Sequence, residues 1–234
     1  MTDIDEILAI PLWINGHAYL TMAPTFFDVC DPRTGRVRRR TPLCGAAEAR
    51  AAADSAGAAL AIWSALAAEQ RAALLTRLGD ALKGYAPHFA GLIGEECGKD
   101  DMLAATEVDE AVNRLRSAGE CRATEDDHGV VAIVSDATAP LLGAVRWAVP
   151  ALLAGAVVIL KPSPQAPSAL FALAELSARS GFPGGVFNVL QGDLEAIEGL
   201  CAAAPVNVLR FAGEPMLGAR VAAIAARHGK PFRD

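Results

Sequence analysis

Along the second half of the chain, short runs of purely apolar residues alternate with segments in which apolar residues recur every three or four positions. Val130–Val134 is such a run, and the segment from Leu141 to Leu152 has the longer spacing. The runs are typical of buried strands and the spacing is typical of helices. Their alternation indicates right-handed βαβ crossovers and a parallel sheet covered by helices on both faces. The pattern predicts further strands at Ala156–Leu160, Val186–Leu190 and Val206–Phe211, and further helices at Ser168–Ser180, Leu194–Ala203 and Met216–Arg227.

The first half has a different pattern. Residues 12–44 are predicted to form short strands that turn at Asn15-Gly16 and around Pro32. Residues 46–122 carry helical spacing, and Gly98 is predicted to end one of the helices. Because no linker composition interrupts the chain, we predict one α/β domain over residues 1–234. Its sheet core spans 129–228, preceded by a β-ribbon at 12–44 and helices at 46–122.

Composition and charge exclude several classes of protein. Hydrophobic residues make up 53% of the 234 residues, which rules out a mostly disordered chain. The 21 Lys and Arg against 27 Asp and Glu give a net charge of −6, which argues against nucleic acid or an anionic membrane as a partner. The longest apolar run, Trp147–Leu160, falls short of the ~20 residues that span a bilayer. The N-terminus lacks the features of a signal peptide, so we expect a soluble, cytoplasmic protein.

The cysteines and histidines give no sign of a metal site. The five cysteines have no repeated spacing, and no CxxC pair or Cys/His cluster occurs. We interpret each cysteine as a small buried hydrophobe in a reducing compartment. His128 lies beside three acidic residues without ligand spacing, and we interpret it as a solvated loop residue.

More specific motifs follow one another in a fixed order from about Leu12 to about Pro231. The most specific is Val149–Gly155 followed by Val158–Ser163, and the GxGxxG and GxSxG patterns are absent. Together the motifs resemble the N-terminal, coenzyme-binding half of the aldehyde dehydrogenase superfamily. The resemblance implies a Rossmann-like fold. The other matching blocks are Trp13–Gly16, Phe27–Gly35, Ala61–Ser64, Glu95–Lys99, Gly129–Ile133, Gly181–Val189 and Phe211–Gly213.

The resemblance assigns coenzyme-binding positions, which we interpret as vestigial. Two departures oppose binding: Pro164 replaces a glutamate that holds the ribose, and Glu214 replaces a serine at the helix start where the pyrophosphate sits. A carboxylate there repels a diphosphate, although an acid in a first helical turn also stabilises the helix dipole. The matching positions are Ser135, Lys161, Gly192, Phe211 and Gly213.

The catalytic features of the family are also altered. Thr138 takes the position of the asparagine that stabilises the oxyanion, and its shorter side chain has no amide donor. No cysteine matches the family's nucleophile. Because family members are about twice as long, we expect the cysteine-bearing catalytic domain to be absent. No residue of this chain is therefore assigned a catalytic role.

The leading hypothesis is a pseudoenzyme that acts as a binding or structural module in a protein complex and takes no cofactor. The alternative is the NAD(P)-binding half of an aldehyde dehydrogenase whose cysteine domain comes from another chain. A third possibility is a different small ligand at the carboxyl ends of the strands.

The resemblance also bears on assembly. Only Thr124–His128 replaces the long hairpin that the family uses to oligomerise, so the family-type tetramer is not expected. The surface around Phe211 and the strand ends should lack its covering domain, leaving either a new interface or a tail after Gly229 folded over the strand ends.

Overall fold

The computed structural model describes residues 7–120 and 128–234. The predicted hairpin replacement at residues 124–127 lies outside these ranges. The strands are β1 (Leu12–Ile14), β2 (His17–Tyr19), β3 (Phe26–Cys30), β4 (Val37–Pro42), β5 (Val130–Ser135), β6 (Val157–Lys161), β7 (Phe187–Val189), β8 (Val206–Ala212) and β9 (Phe232–Arg233). The helices are α1 (Ala46–Ser64), α2 (Ala68–Gly84), α3 (Ala86–Cys97), α4 (Asp101–Arg116), α5 (Leu142–Leu153), α6 (Ser168–Arg179), α7 (Leu194–Ala202) and α8 (Pro215–Arg227), with a short 3-10 turn at Ala118–Glu120.

The main sheet of the described residues runs in the order β2-β1-β7-β6-β5-β8-β9. From β7 to β9 its strands are parallel, whereas β1 pairs antiparallel with both β2 and β7. Strands β3 and β4 form a separate antiparallel ribbon. The predicted Rossmann-like parallel sheet is therefore confirmed. Part of the ribbon predicted ahead of it, residues 12–19, belongs to the sheet itself.

Helices cover both faces because the central strands are apolar on both sides. Every residue of β5 and β6 is buried, including all side chains from Val130 to Val134. Helices α5 and α6 pack against α2, while α1 packs against α7, and each group contacts the sheet. Trp63 of α1 is fully buried and its indole N–H donates to the carbonyl of Leu152 at 3.0 Å, which joins α1 to α5.

The chain order creates a topological switch point beside β5. From β5 the chain moves through β6 to β7 on one side, and it then returns to the other side of β5 to form β8. The connections that leave the carboxyl ends of β5 and β8 diverge, so a crevice forms between them. In open α/β sheets this crevice is where ligands bind.

The end of the chain does not fold over the strand ends, which excludes the folded-back tail, one of the two alternatives for that surface. Residues Phe232 and Arg233 form β9, which pairs in parallel beside Leu209 and Arg210 of β8. The tail extends the sheet sideways because its backbone groups find partners on the free edge of β8. Phe211 itself is buried, with 2% of the residue exposed.

Candidate functional site

A cleft of about 880 Å³ opens at the carboxyl ends of the strands, at the switch point. Its lining includes three carboxylates, which are Asp136 after β5, Asp193 before α7 and Glu214 before α8. Two cationic side chains, Lys99 and Arg220, also border it. The cleft is therefore more acidic than basic. Its apolar wall is formed by Phe27, Leu43, Met216 and Leu217.

Asp136 is the most constrained of the three acids. It is 8% exposed, and one carboxylate oxygen accepts hydrogen bonds from the Thr138 backbone N–H at 2.8 Å and from the Thr138 hydroxyl. The other oxygen accepts the backbone N–H of Glu214 at 2.7 Å. The Asp136 backbone N–H also donates to the Ala212 carbonyl at 3.1 Å. The turn after β5 and the turn after β8 are thus joined through one residue.

The Thr138 turn is fixed from its other side by a lysine and a buried glutamate. Lys99 Nζ lies 2.6 Å from both Glu107 Oε2 and the Thr138 carbonyl oxygen. Glu107 Oε1 accepts the backbone N–H groups of Leu141 at 2.9 Å and Leu142 at 3.1 Å, at the start of α5. A carboxylate at a helix N-terminus is stabilised by these free amides and by the helix dipole. The ammonium group of Lys99 is therefore ion-paired with the carboxylate of Glu107.

A second buried carboxylate serves α6 in the same way. Glu96 accepts the backbone N–H of Ser168 at 3.1 Å and the hydroxyl of the same serine, and Arg39 Nη1 lies 3.3 Å from its Oε1. Burial raises the pKa of Glu96, and its hydrogen bonds with Ser168 and the charge of Arg39 oppose that rise. Arg39 of β4 thus forms a structural ion pair with this buried glutamate.

Among the positions that the family resemblance singles out, three line the cleft: Thr138, Pro164 and Glu214. All three are departures from the family pattern. The Pro164 carbonyl accepts the hydroxyl of Thr41 at 2.7 Å, so its backbone helps to hold the β4 end. The Glu214 side chain is exposed and forms no cap for α8. Phe211 and Gly213 border a neighbouring cavity of about 630 Å³, which Thr138 also lines.

The other predicted coenzyme positions face the protein interior. Lys161 at the end of β6 is 3% exposed, and its burial lowers its pKa to about 8 against the opposing attraction of Asp193. Ser135 is buried against α5. Its Cβ lies 3.8 Å from the position that a Cβ added at Gly143 would take. A Cβ at Gly192 would meet the Ala196 side chain at 2.7 Å and the Cys44 carbonyl at 3.0 Å. Close packing thus accounts for the glycine at 192.

Gly213 is also accounted for by close packing. Its φ of +157° is rare for residues with side chains, and an added Cβ would lie 2.3 Å from Cγ of Asp136. The carboxyl group of Asp136 therefore fills the space directly over this glycine. Sequence reasoning assigned Gly213 to the coenzyme and gave Asp136 no role.

The cysteines differ from one another in exposure. Cys44 and Cys201 are buried as expected, Cys97 is partly buried, and Cys30 is exposed, which corrects the expectation for that residue. Burial raises the pKa of Cys44 and Cys97 to about 12 and that of Cys201 to about 11, which keeps these thiols protonated. Within residues 7–120 and 128–234, no three His, Cys, Asp or Glu side chains are grouped in a way that could hold a metal ion.

Asp136 and Asp193 are the cleft residues that sequence reasoning missed. Each follows directly on, or shortly after, a predicted strand of the parallel sheet, and the carboxyl ends of such strands meet at one edge. That position in the pattern was the available signal. The hydrogen bonds of Asp136 required coordinates, because its partners at Thr138 and Glu214 belong to different turns.

Across the described part of the chain, no helix is long and apolar enough to cross a membrane.

Sequence comparison identifies relatives over nearly the whole chain. The profile described as "Aldehyde dehydrogenase family" matches residues 19–233. An NADP(+) succinate-semialdehyde dehydrogenase of Escherichia coli is 33% identical over 224 residues, which are 88% of this chain and 46% of the relative. A glutarate-semialdehyde dehydrogenase of Pseudomonas aeruginosa is 33% identical over 218 residues, which are 85% and 45% of the two chains. The chain thus spans about half the length of these relatives.

Solved structures give the same result. Lactaldehyde dehydrogenase from Escherichia coli superposes with a TM-score of 0.89 at 27% identity, over 97% of this chain and 51% of that one. Aldehyde dehydrogenase C of Pseudomonas syringae, solved with NAD+ and octanal, gives 0.89 at 28% identity over 96% and 49%. The chain therefore belongs to the aldehyde dehydrogenase family and corresponds to the N-terminal, Rossmann-like half of its members.

Proposed function

We propose that this chain is an aldehyde-dehydrogenase-like pseudoenzyme, a binding or structural module that does not use a nicotinamide coenzyme. The observation that carries the proposal is the set of carboxylates at the switch point. Asp136, Asp193 and Glu214 line one cleft, and the charge of Lys99 is directed to Glu107. Arg220 remains as the other cation of the lining.

The electrostatics of this lining oppose a diphosphate. Two like charges at about 4 Å repel by about 1 kcal/mol in water and by about 4 kcal/mol at an effective dielectric constant near 20. The resemblance places the family's pyrophosphate at the start of α8. Here Asp136 binds the Glu214 amide at that start, and the Glu214 carboxylate lies beside it. Anion binding at a helix start requires free amides and no competing negative charge.

The oxyanion position supports the same proposal. The single hydroxyl proton of Thr138 is donated to Asp136, as is its backbone N–H. A hydroxyl group has one donor, so this threonine has none left for an oxyanion. Losing one preorganised donor of this kind costs about 10²–10³ in rate.

A protein is the partner that the apolar wall of the cleft favours. Met216 is 83% exposed at the cleft mouth, next to Leu217, Phe27 and Leu43. Contiguous apolar surface beside an acidic cleft is typical of a contact surface. We further propose that the family-type tetramer does not form, which static light scattering of the purified chain measures directly. A mass of four chains would contradict this part of the proposal.

The alternative, an NAD(P)-binding half, is favoured by one feature. Lys161 is retained at the end of β6 in a fold whose solved relatives include one with NAD+. Lys161 is, however, 3% exposed and does not line the cleft.

Calorimetry with NAD and NADP separates the two functions. We expect no binding in the micromolar range, and no NAD(P)H formation above blank with a panel of aldehydes. The succinate-semialdehyde dehydrogenase of Escherichia coli serves as the positive control. Micromolar binding that is weakened by Lys161→Ala and tightened by Glu214→Ser would support the alternative and overturn the proposal.

A further inference from the structure

The carboxylate of Asp136 joins the two turns from which the cleft is built. One oxygen holds the amide and hydroxyl of Thr138 after β5, and the other holds the amide of Glu214 before α8. One buried side chain therefore holds both turns at the carboxyl ends of β5 and β8.

The three acids of the cleft differ in what they contact. Asp193 and Glu214 are exposed, and neither side chain forms a cap hydrogen bond to its helix. These two contribute charge alone. Asp136 is buried, its carboxyl group fills the space over Gly213, and it accepts the backbone amides of both turns. It therefore acts through shape and hydrogen bonding as well as charge.

We propose that Asp136 is an intramolecular lock that keeps this cleft closed to anionic ligands by occupying the amides of both turns with a carboxylate of the chain itself. The inference concerns the regulation of the same cleft and rests on the proposed function. The lock is an autoinhibitory contact made by a single residue. It occupies the hydrogen-bond donors of Thr138, at the oxyanion position, and the amide of Glu214, at the pyrophosphate position.

The lock predicts different effects for two substitutions that remove the same charge. Asp136→Ala frees the Thr138 and Glu214 amides and the space over Gly213. Asp193→Ala removes a carboxylate from the same cleft and frees no turn amide. We expect inorganic pyrophosphate to bind Asp136→Ala about tenfold or more tightly than Asp193→Ala or the wild-type chain, because only the first variant offers unoccupied amides.

The binding is measured by calorimetry, with backbone amide shifts as the second readout. Pyrophosphate should shift the amide resonances of Glu214 and Thr138 in Asp136→Ala and leave them unchanged in Asp193→Ala. Asp136→Asn is the second variant, used if Asp136→Ala loses its native amide spectrum. An asparagine has one carbonyl oxygen, so it can satisfy one turn and must release the other.

The outcomes separate the lock from the proposed function. If Asp136→Ala and Asp193→Ala bind pyrophosphate equally tightly, or neither binds it more tightly than the wild-type chain, the lock is overturned. The proposed function still stands in that case, provided that the wild-type chain does not bind NAD or NADP. Tight binding of NAD by the wild-type chain overturns the proposed function directly. Tighter binding confined to Asp136→Ala, with shifts at both turns, supports the lock.

Discussion

At the scale of single residues, the most informative positions are buried polar groups whose partners are fixed by the fold. Lys161 is a buried polar group of a different kind: it keeps a family residue type, and only the attraction of Asp193 opposes the effect of burial on its pKa. Burial lowers its pKa to about 8, so in the folded state the charged form is disfavoured. The residue is thus held at a cost to stability.

We predict that replacing Lys161 changes the pH dependence of the free energy of unfolding. The folded pKa lies below the unfolded value of 10.5, so between about pH 8 and 10.5 the unfolded chain binds more protons and stability rises with pH. Lys161→Met should remove that rise and increase the free energy of unfolding at pH 7 by up to about 3 kcal/mol, at about 1.4 kcal/mol per pKa unit.

Urea titrations at several pH values measure this effect, with Lys83→Met as the control. Lys83 is 49% exposed and paired with Asp109 on the surface, so its replacement should leave the pH profile unchanged. A wild-type stability that stays flat from pH 8 to 10.5 would contradict the prediction.

At the scale of elements, the starts of two helices, α5 and α6, are held by carboxylates from other helices. Glu107 of α4 binds the first amides of α5, and Glu96 of α3 binds the start of α6. These contacts replace local capping residues: Leu141 and Pro167 precede the two helices and supply no side-chain cap. The N-terminal helices are therefore tied to the sheet layer by hydrogen bonds as well as by apolar packing.

Glu107→Gln should destabilise the protein through α5. The substitution removes the charge that serves two amides and Lys99, and hydrogen bonds to charged groups contribute about 1.5–3 kcal/mol each. We expect the free energy of unfolding to fall by about 2 kcal/mol. Glu110→Gln on the same helix is the matched control, because Glu110 is 52% exposed and its surface pair with Arg146 contributes little. Equal losses in the two variants would refute the capping role of Glu107.

The sequence predicted the helices and the central strands because their hydrophobic periods are unambiguous, as for Val130–Val134. It did not predict that β1 joins the sheet, because pairing of Trp13 with Val189 leaves no local signal in a three-residue strand. It also did not predict β9, whose two residues pair only through the backbone of β8. Thr138 and Glu214, which the sequence singled out, line the cleft, whereas the contacts of Asp136 join distant turns and leave no local signal.

At the scale of the whole molecule, Arg71 joins three helices. Its guanidinium donates to the carbonyl of Leu153 at the end of α5 at 3.0 Å, and to the carbonyls of Ser64 and Leu66 after α1. The carbonyls of Leu153 and Ser64 belong to the unpaired groups that a helix end leaves, and that of Leu66 lies in the turn after α1. The Arg71 side chain of α2 therefore links α1 to α5 through hydrogen bonds.

Arg71→Met should lower the free energy of unfolding by up to about 3 kcal/mol, because it leaves the buried carbonyl of Leu153 and the partly buried carbonyls of Ser64 and Leu66 without this donor. Arg77→Met is the control, since Arg77 lies on the exposed face of the same helix. Chemical denaturation of both variants measures the difference. A loss below that of the control would show that solvent serves these carbonyls equally well.

The antiparallel pairing of β1 has a consequence for how the molecule is made. The Asn15 amide donates to Asn188 Oδ1 across 173 positions of sequence, and β9 is supplied by the last residues of the chain. The β1 edge of the sheet thus depends on a contact between remote segments, which forms late because closing a long loop is slow. On the ribosome, β1 and β2 leave the exit tunnel before β7 and cannot join the sheet until β7 has been synthesised. During this interval the first apolar strand, which includes Leu12 and Trp13, is exposed to other nascent chains, and a chaperone has its clearest target there.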